Sequence, residues 1–289
     1  MRIDDILKQK RTLSFEVFPP KKGSEEKEEL LHTIDNLKQY KPDFISVTYG
    51  ASGSNARGAT EIAGYIKSVG IEPLAHITGG CASPEDIDKV TDELKKLNVE
   101  NVLALRGDRP VGYDGDHGKH FAHATDLMDY LGDKFCLGGA CYPEGHPECE
   151  TLREDLLNLK KKEASGAKFL ITQLFYDNSY YYRLVHEARK EGITVPIIPG
   201  VMPLLSTKNI ARTISMCGNT IPLEFRNMIE TYAAENPTVL REIGLNYAVY
   251  QIIDLIAKGA PGIHLYIMNR ADTAQEIYRR LENVFHELF

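Results

Sequence analysis

Eight strand-like apolar runs alternate with amphipathic stretches along nearly the whole chain. The stretches carry apolar residues at three- and four-residue spacing, the period of a helix that packs on one face. Eight strand–helix repeats within 289 residues match the number and length of a (β/α)8 or TIM barrel. A doubly wound sheet is the alternative, but its usual GxGxxG motif is missing after the first strand. The sequence therefore predicts a parallel α/β barrel that forms one domain over residues 1–289.

The predicted strands are short apolar runs, rich in β-branched and aromatic residues, between turn-forming segments. They are Leu13–Phe18, Phe44–Tyr49, Leu74–Thr78, Val102–Leu105, Leu137–Tyr142, Phe169–Phe175, Ile197–Pro199 and Ile263–Ile267.

Helix signals lie between these strands. The stretch Glu28–Tyr40 carries an apolar stripe. The stretch Pro84–Leu97 follows Ser83, a favoured N-cap residue, and has a proline in its first turn. Gly166 and Gly192 follow charged helical faces, where a glycine typically ends a helix.

The segment between the seventh and eighth strands is too long for one helix. Its break at Asn236-Pro237 predicts two helices, Glu224–Glu235 and Pro237–Lys258. We expect them to be additions to the barrel rather than a second domain, because no Gly/Ser-rich linker or charge block surrounds them.

Charge, hydropathy and cysteine content argue against several classes of protein. The net charge of −7, from 34 basic and 41 acidic residues, argues against non-specific nucleic-acid binding. The chain has no apolar run of membrane-spanning length, and we expect no signal peptide because acidic residues follow Met1 where an apolar segment would begin. Five cysteines without a CxxC pair indicate a reducing cytoplasm. A zinc site from Cys141, Cys149 and His146 is the weaker alternative, because their spacing matches no common pattern.

Polar side chains follow seven of the eight predicted strands. In a (β/α)8 barrel the carboxyl ends of the strands meet at one mouth, where catalytic residues lie. We expect these side chains to converge there, although many strand ends are polar for solvation alone. They are Glu16, Thr48, Tyr49, His76, Thr78, Arg106, Gly107, Asp108, Tyr142, Glu144, His146, Gln173, Asp177, Tyr266, Asn269 and Arg270.

Glu16 lies in the apolar strand segment SFEVFPP. Side chains alternate along a strand, so Glu16 faces the barrel mouth if Phe15 and Val17 pack on the helices. Burial and a second carboxylate nearby would raise its pKa towards that of a general acid. The alternative is a structural ion pair with Arg106 or Lys21.

The loop Asp108–His123 contains three glycines and the evenly spaced His117, His120 and His123. Its glycine content favours a mobile lid or a cofactor cover. A metal site formed by these histidines and two aspartates of the loop is the minority alternative, because nothing rigid would fix the ligand geometry.

Eight short motifs carry a resemblance to a known family. SFEVFPPK, FISVTYGA, LALRGDRP, CYPEGHPE, DLLNLKKK, ITQLFYD, IIPGVMP and YIMNRA occur in this order. Together they closely resemble bacterial 5,10-methylenetetrahydrofolate reductases, which are (β/α)8 flavoproteins. The similarity extends from about Ser14 to about Ala271, and 289 residues leave no room for the regulatory domain of the eukaryotic enzymes.

The resemblance implies a two-stage, ping-pong reaction. NADH or NADPH delivers hydride to FAD and leaves, and 5,10-methylenetetrahydrofolate then takes the hydride and becomes 5-methyltetrahydrofolate. Glu16 matches the general acid that protonates N10 of the folate as its imidazolidine ring opens. Asp108 matches the carboxylate that stabilises the developing cation, and Gln173 matches the amide that contacts nicotinamide and folate in turn.

The resemblance also implies binding residues. Those for the substrate are Glu16, Asp108, Gln173, Asn209, Tyr266 and Arg270. Those for FAD are Thr48, Tyr49, Ala51, His76, Arg106, Gly107, Asp108, His123, Ala124, Tyr142, His146, Asp155, Asn158, Lys161 and Lys162.

Two positions depart from the family pattern. Thr213 stands where related enzymes have a Phe that stacks on nicotinamide or folate, and Asn209 aligns with a Gln. The donor is therefore NADH, NADPH or a reductant delivered by a partner subunit. The protein is accordingly expected to form a homo-oligomer or to bind a partner reductase subunit.

Two other functions remain open on the sequence. The first is a flavin- or folate-binding subunit that receives electrons from a partner protein. The second is another barrel enzyme, such as a pterin-dependent methyltransferase, that uses Glu16 and Asp108 without flavin.

Overall fold

Nine parallel strands form a ring that is almost closed in the computed structural model. It describes residues 1–20, 24–49, 56–109, 112, 114–206, 220–232 and 236–289. Neighbouring strands pair in the order β7-β6-β5-β4-β3-β2-β1-β9-β8. The strands are β1 (Thr12–Val17), β2 (Phe44–Val47), β3 (Glu72–Thr78), β4 (Asn101–Leu105), β5 (Cys136–Cys141), β6 (Ala167–Thr172), β7 (Ile197–Ile198), β8 (Gly200–Val201) and β9 (Gly262–Tyr266).

The two ends of the sheet meet at Pro199, which separates β7 from β8. β7 pairs with β6, whereas β8 pairs with β9. The predicted seventh strand, Ile197–Pro199, therefore contains only β7, and a further short strand, β8, follows it after Pro199. A proline has no amide hydrogen to donate to the ladder, but the Pro199 carbonyl accepts the amide of His264 at 3.0 Å. The predicted barrel is confirmed, with its seventh strand interrupted.

Helices follow the strands along the chain and cover the outside of the ring. As predicted, Ser83 is the N-cap of α4, because its hydroxyl accepts a hydrogen bond from the Asp86 amide at 3.2 Å. Gly166 and Gly192, with φ of 101° and 81°, follow α6 and α7, also as predicted. The helices are α1 (Ile3–Leu7), α2 (Ser24–Lys38), α3 (Ala56–Ser68), α4 (Pro84–Lys96), α5 (Ala124–Leu131), α6 (Leu152–Ala164), α7 (Asn178–Lys190), α8 (Leu223–Tyr232), α9 (Pro237–Ala257) and α10 (Ala271–Leu288), with a 3-10 turn at Gly132–Lys134.

Two hydrophobic layers follow from strand alternation. Phe15 and Val17 pack in the layer between strands and helices, while Phe44 and Phe169 belong to a separate cluster that also contains Ile3 of α1. The Ile3 amide donates to the Asn101 side chain at 2.8 Å. α1 therefore closes the amino end of the barrel, so the open end lies at the carboxyl ends of the strands. In the part of the chain that the structure describes, no helix is long and apolar enough to span a membrane.

Candidate active site

A cavity of about 670 Å³ opens at the carboxyl ends of the strands. Strands β1, β3 to β6 and β9, the residues that follow β2, and helices α5 and α6 all contribute to its lining. The sequence-predicted residues that it brings together are Glu16, Thr48, Tyr49, His76, Thr78, Arg106, Gly107, Asp108, His123, Ala124, Tyr142, His146, Asp155, Asn158, Lys161, Lys162, Gln173 and Tyr266.

Some predicted residues lie elsewhere or are not described. Four residues expected at the mouth are not part of this lining: Glu144, Asp177, Asn269 and Arg270. The half-exposed guanidinium of Arg270 pairs with Asp272 at 3.0 Å. Ala51, Asn209 and Thr213 lie outside the described residues.

Glu16 is buried at the bottom of the cavity, with 7% of its surface exposed. Ser46, directly across the β1–β2 ladder, donates its hydroxyl to Glu16 Oε2 at 3.2 Å. The Nε2 atoms of His76 and His264 lie 3.6 and 3.7 Å from the same oxygen. On the side of the His264 ring that faces away from Glu16, Nδ1 lies 2.8 Å from the Ser14 hydroxyl. The carboxylate is thus surrounded by polar groups from three neighbouring strands, β2, β3 and β9.

The alternative of a structural ion pair between Glu16 and Arg106 is wrong. Arg106 forms a bidentate pair with Glu148, with nitrogen–oxygen distances of 2.6 and 2.7 Å. The other partner considered, Lys21, lies outside the described residues.

The pKa of Glu16 differs from the sequence expectation. Burial raises it, but polar interaction with His264, the charges of the His76 and His264 rings and the Ser46 hydroxyl outweigh burial and hold the pKa below its usual value. The expected rise is therefore wrong, because the sequence did not reveal these partners. Burial itself lowers the pKa of His76 to about 4, so at pH 7 His76 is neutral and His264 and Ser46 are the effective partners of Glu16.

Helix α6 presents a polar face to the cavity. Asp155, Asn158 and Lys162 lie three and four residues apart, so they share one side of the helix. Burial raises the pKa of Asp155, whose carboxylate accepts the His146 amide at 3.1 Å. Burial lowers the pKa of Lys162, whose ammonium donates to the Ala140 carbonyl at 2.7 Å.

The cavity has the groups that a phosphate-bearing cofactor needs. Arg106, Lys161 and Lys162 supply positive charge in its lining. The Nε2 atom of His76 is buried and has no hydrogen-bond partner among the described residues, so it can bond a polar ring atom of a bound molecule. The donor set therefore fits a flavin nucleotide.

The metal-site alternatives find no support in the described residues. No group of three or more His, Cys, Asp and Glu side chains that could hold a metal ion occurs among them. His117 packs against Gly80, His123 begins α5, and Cys141 is fully buried.

Sequence reasoning missed several polar residues of the site, including His264, Ser14, Ser46, Glu148 and Glu154. Strand alternation could have revealed three of them, because Ser14 lies on the same strand face as Glu16, Ser46 on the same face as Thr48, and His264 on the same face as Tyr266. The β1–β9 register then places Ser14 directly opposite His264.

Comparison with known proteins identifies the family. The profile described as "Methylenetetrahydrofolate reductase" matches residues 2–282. Methylenetetrahydrofolate reductase (NADH) 1 of Arabidopsis thaliana is 35% identical, over 93% of this chain and 48% of that protein. The 5,10-methylenetetrahydrofolate reductase of Escherichia coli is also 35% identical, over 93% of this chain and 90% of that protein. The chain thus spans about half the length of the plant relatives and most of the bacterial one.

Structural similarity agrees with the fold. A protein from Clostridium thermocellum, which binds two copies of 5-methyl-5,6,7,8-tetrahydrofolic acid, superimposes with a TM-score of 0.67 at 16% identity, over 99% of both chains. At this identity the likeness shows the fold alone. With the barrel, the cavity and the profile match taken together, the chain belongs to the methylenetetrahydrofolate reductase family, a family of oxidoreductases.

Proposed function

We propose that the chain catalyses the FAD-dependent reduction of 5,10-methylenetetrahydrofolate to 5-methyltetrahydrofolate by NADH or NADPH. The observation that carries the proposal is a buried carboxylate, Glu16, in the same cavity as three cationic side chains. The family match and the names of the relatives support the substrate. We further propose that residues 1–289 act as one catalytic domain in the cytoplasm.

The cofactor would be held by the residues that line the cavity around α6. Arg106, Lys161 and Lys162 would face the pyrophosphate, Asp155 and Asn158 would accept and donate hydrogen bonds to ribose or ribityl hydroxyls, and the remaining lining residues would contact the ring. When bound, FAD would supply hydride transfer from the nicotinamide to the folate carbon.

Glu16 would supply the proton that the folate needs. Opening the imidazolidine ring leaves a 5-iminium cation and requires a proton at N10, which a positioned carboxylic acid can deliver. Bound ring systems would exclude water from the carboxyl group and favour its neutral form. The His264 and Ser46 contacts would restrain its orientation.

Asp108 and Gln173 would serve the two ring substrates. Asp108 follows β4 at the exposed rim of the cavity, where its carboxylate can stabilise the developing cation. Gln173 follows β6 and lines the same cavity, and its amide offers both a donor and an acceptor.

A second candidate is a flavin- and folate-binding subunit that takes electrons from a partner protein. It is favoured by Thr213, where related enzymes carry the Phe that stacks on the nicotinamide. Loss of that stacking surface would weaken direct use of NADH or NADPH.

The visible absorption spectrum of the purified protein, followed by anaerobic mixing with donors, tests the proposal. We expect a flavin spectrum that NADH or NADPH bleaches and that methylenetetrahydrofolate restores. A flavin spectrum that dithionite bleaches but NADH and NADPH do not, and that methylenetetrahydrofolate restores, would favour the subunit function. A colourless protein that cannot be reconstituted with FAD would overturn both.

A further inference from the structure

The lining of the cavity has more carboxylates than the cationic side chains that would bind the cofactor's pyrophosphate. Five carboxylates line it, against three cationic side chains. A pyrophosphate brings further negative charge, so at least one carboxylate near the cations must move away or be neutralised when it binds. The carboxylates are Glu16, Asp108, Glu148, Glu154 and Asp155.

Glu148 is the carboxylate that forms an ion pair with one of these cationic side chains. Its two oxygens accept hydrogen bonds from the two terminal nitrogens of Arg106, at 2.6 and 2.7 Å. The two lysines of the cavity bind neutral oxygens instead. Lys161 donates to the Asn158 side chain at 3.1 Å, and Lys162 donates to the Ala140 carbonyl at 2.7 Å. Arg106 is therefore the cation for which a phosphate and a protein carboxylate compete.

The position of Glu148 allows its carboxylate to move away from Arg106 into solvent. The side chain is 60% exposed, whereas that of Arg106 is 28% exposed. The Glu148 amide is fixed separately, because it donates to His146 Nδ1 at 3.1 Å. A rotation of the side chain can thus move the carboxylate into water without displacing the backbone of the cavity wall.

We propose that Glu148 is a displaceable anion that holds Arg106 in the cavity and yields it to the pyrophosphate of the incoming cofactor. The inference rests on the proposed function, since it takes FAD as the ligand. A carboxylate and a phosphate bind the planar guanidinium fork in the same bidentate manner. Glu148 therefore keeps Arg106 extended towards the position that the phosphate takes, and it weakens the affinity for FAD by competing for that position.

Substitution of Glu148 by Gln should tighten FAD binding. The uncharged amide is a poorer partner for Arg106, so the pyrophosphate meets less competition and less repulsion. We expect the dissociation constant of FAD, measured by quenching of flavin fluorescence on the flavin-free protein, to fall about three- to tenfold in 50 mM salt. The gain should shrink in high salt, which screens this half-exposed site.

Matched controls separate this effect from a general change in charge. Glu150→Gln removes the same charge two residues away, at an exposed position that is not part of the cavity lining, and should leave the FAD affinity unchanged. Riboflavin has no phosphate, so Glu148→Gln should not alter its affinity. Inorganic pyrophosphate should raise the melting temperature of the E148Q protein more than that of the wild type.

The outcomes distinguish the inference from the proposed function. Equal or weaker binding of FAD to E148Q, with normal binding to the wild type, would overturn the role of Glu148 and leave the proposed function standing. An equal gain in the affinity of E148Q for riboflavin, or in the affinity of E150Q for FAD, would likewise overturn the role of Glu148 and leave the proposed function standing. Failure of the wild type to bind either FAD or pyrophosphate would overturn both.

Discussion

Glu16 has more polar partners than its apolar strand suggests. Ser46 and two histidine rings surround Oε2, and Ser14 lies behind one of these rings. Ser46 and the two histidine rings hold the pKa of the Glu16 carboxyl below its usual value despite burial. We infer that Glu16 is ionised in the open cavity and takes up its proton when bound rings exclude water.

His76 should make the stability of the flavin-free protein depend on pH. Its pKa falls from 6.5 to about 4 on folding, so between these values the unfolded chain binds a proton at this ring that the folded chain does not. The free energy of unfolding should therefore fall as the pH drops from about 6.5 to about 4, by up to roughly 3 kcal/mol.

Urea unfolding at pH 7 and pH 4.5 measures this contribution. The His76→Gln protein should lose less stability than the wild type over this interval. His186→Gln, which replaces a ring whose side chain is 67% exposed, should behave like the wild type. Equal losses for the wild type and His76→Gln would show that His76 is not held neutral by the fold.

Ser14 should act as a positioning residue for His264. When the Ser14 hydroxyl donates to His264 Nδ1, 2.8 Å away, the ring proton is held on Nε2, which faces the Glu16 carboxylate at 3.7 Å. Ser14→Ala should slow the folate half-reaction about five- to tenfold, the effect of one hydrogen bond of roughly 1 kcal/mol.

The pH profile of the folate half-reaction tests this role, because only a change in the acid should shift it. Thr12→Val is the matched control. It removes a buried hydroxyl from the same strand face, and that hydroxyl has no partner among the described residues. A profile that is unchanged in Ser14→Ala would limit Ser14 to a packing role.

At the scale of elements, α6 and β1 explain why the site could be located from sequence. Their polar residues recur at helical and strand spacing, and each element has its opposite face in the core. His264 was missed because β9 was interpreted as an apolar strand and only the residues near its end were considered. Glu148 was missed because it lies in a loop, where no periodicity indicates which way a side chain points.

The contact of α9 with the barrel should depend on Gly244. A Cβ at this position would overlap the backbone of Leu204, which cannot move aside as a side chain can. Gly244→Ala should lower the free energy of unfolding by about 3 kcal/mol.

Gly64→Ala in α3 is the matched helical control. Its Cβ would lie 3.1 Å from the flexible end of the Leu97 side chain, which is 38% exposed. This change should be neutral or stabilise the protein by up to about 1 kcal/mol, because Ala favours the helix. Similar urea midpoints for the two variants would contradict the assignment of the tight contact to Gly244.

For the whole molecule, the order of strands and helices was predictable because each element carries its own periodicity. The closure of the ring at Pro199 was not, since it depends on which strand each half of the seventh segment pairs with. The pKa of Glu16 was not predictable either, because it depends on distances across the barrel between residues about 250 positions apart. Sequence pattern indicates which face a residue occupies, and the fold determines what lies opposite.

The two half-reactions of Glu16→Gln, measured separately by anaerobic stopped-flow, test the central claim that Glu16 is the acid of the folate step. Flavin reduction by NADH or NADPH should remain nearly as fast as in the wild type, because that step needs no proton from this group. Reoxidation by methylenetetrahydrofolate should slow by about two to four orders of magnitude, the usual effect of losing a general acid. An equal loss in both half-reactions, or an unchanged folate step, would contradict the role of Glu16.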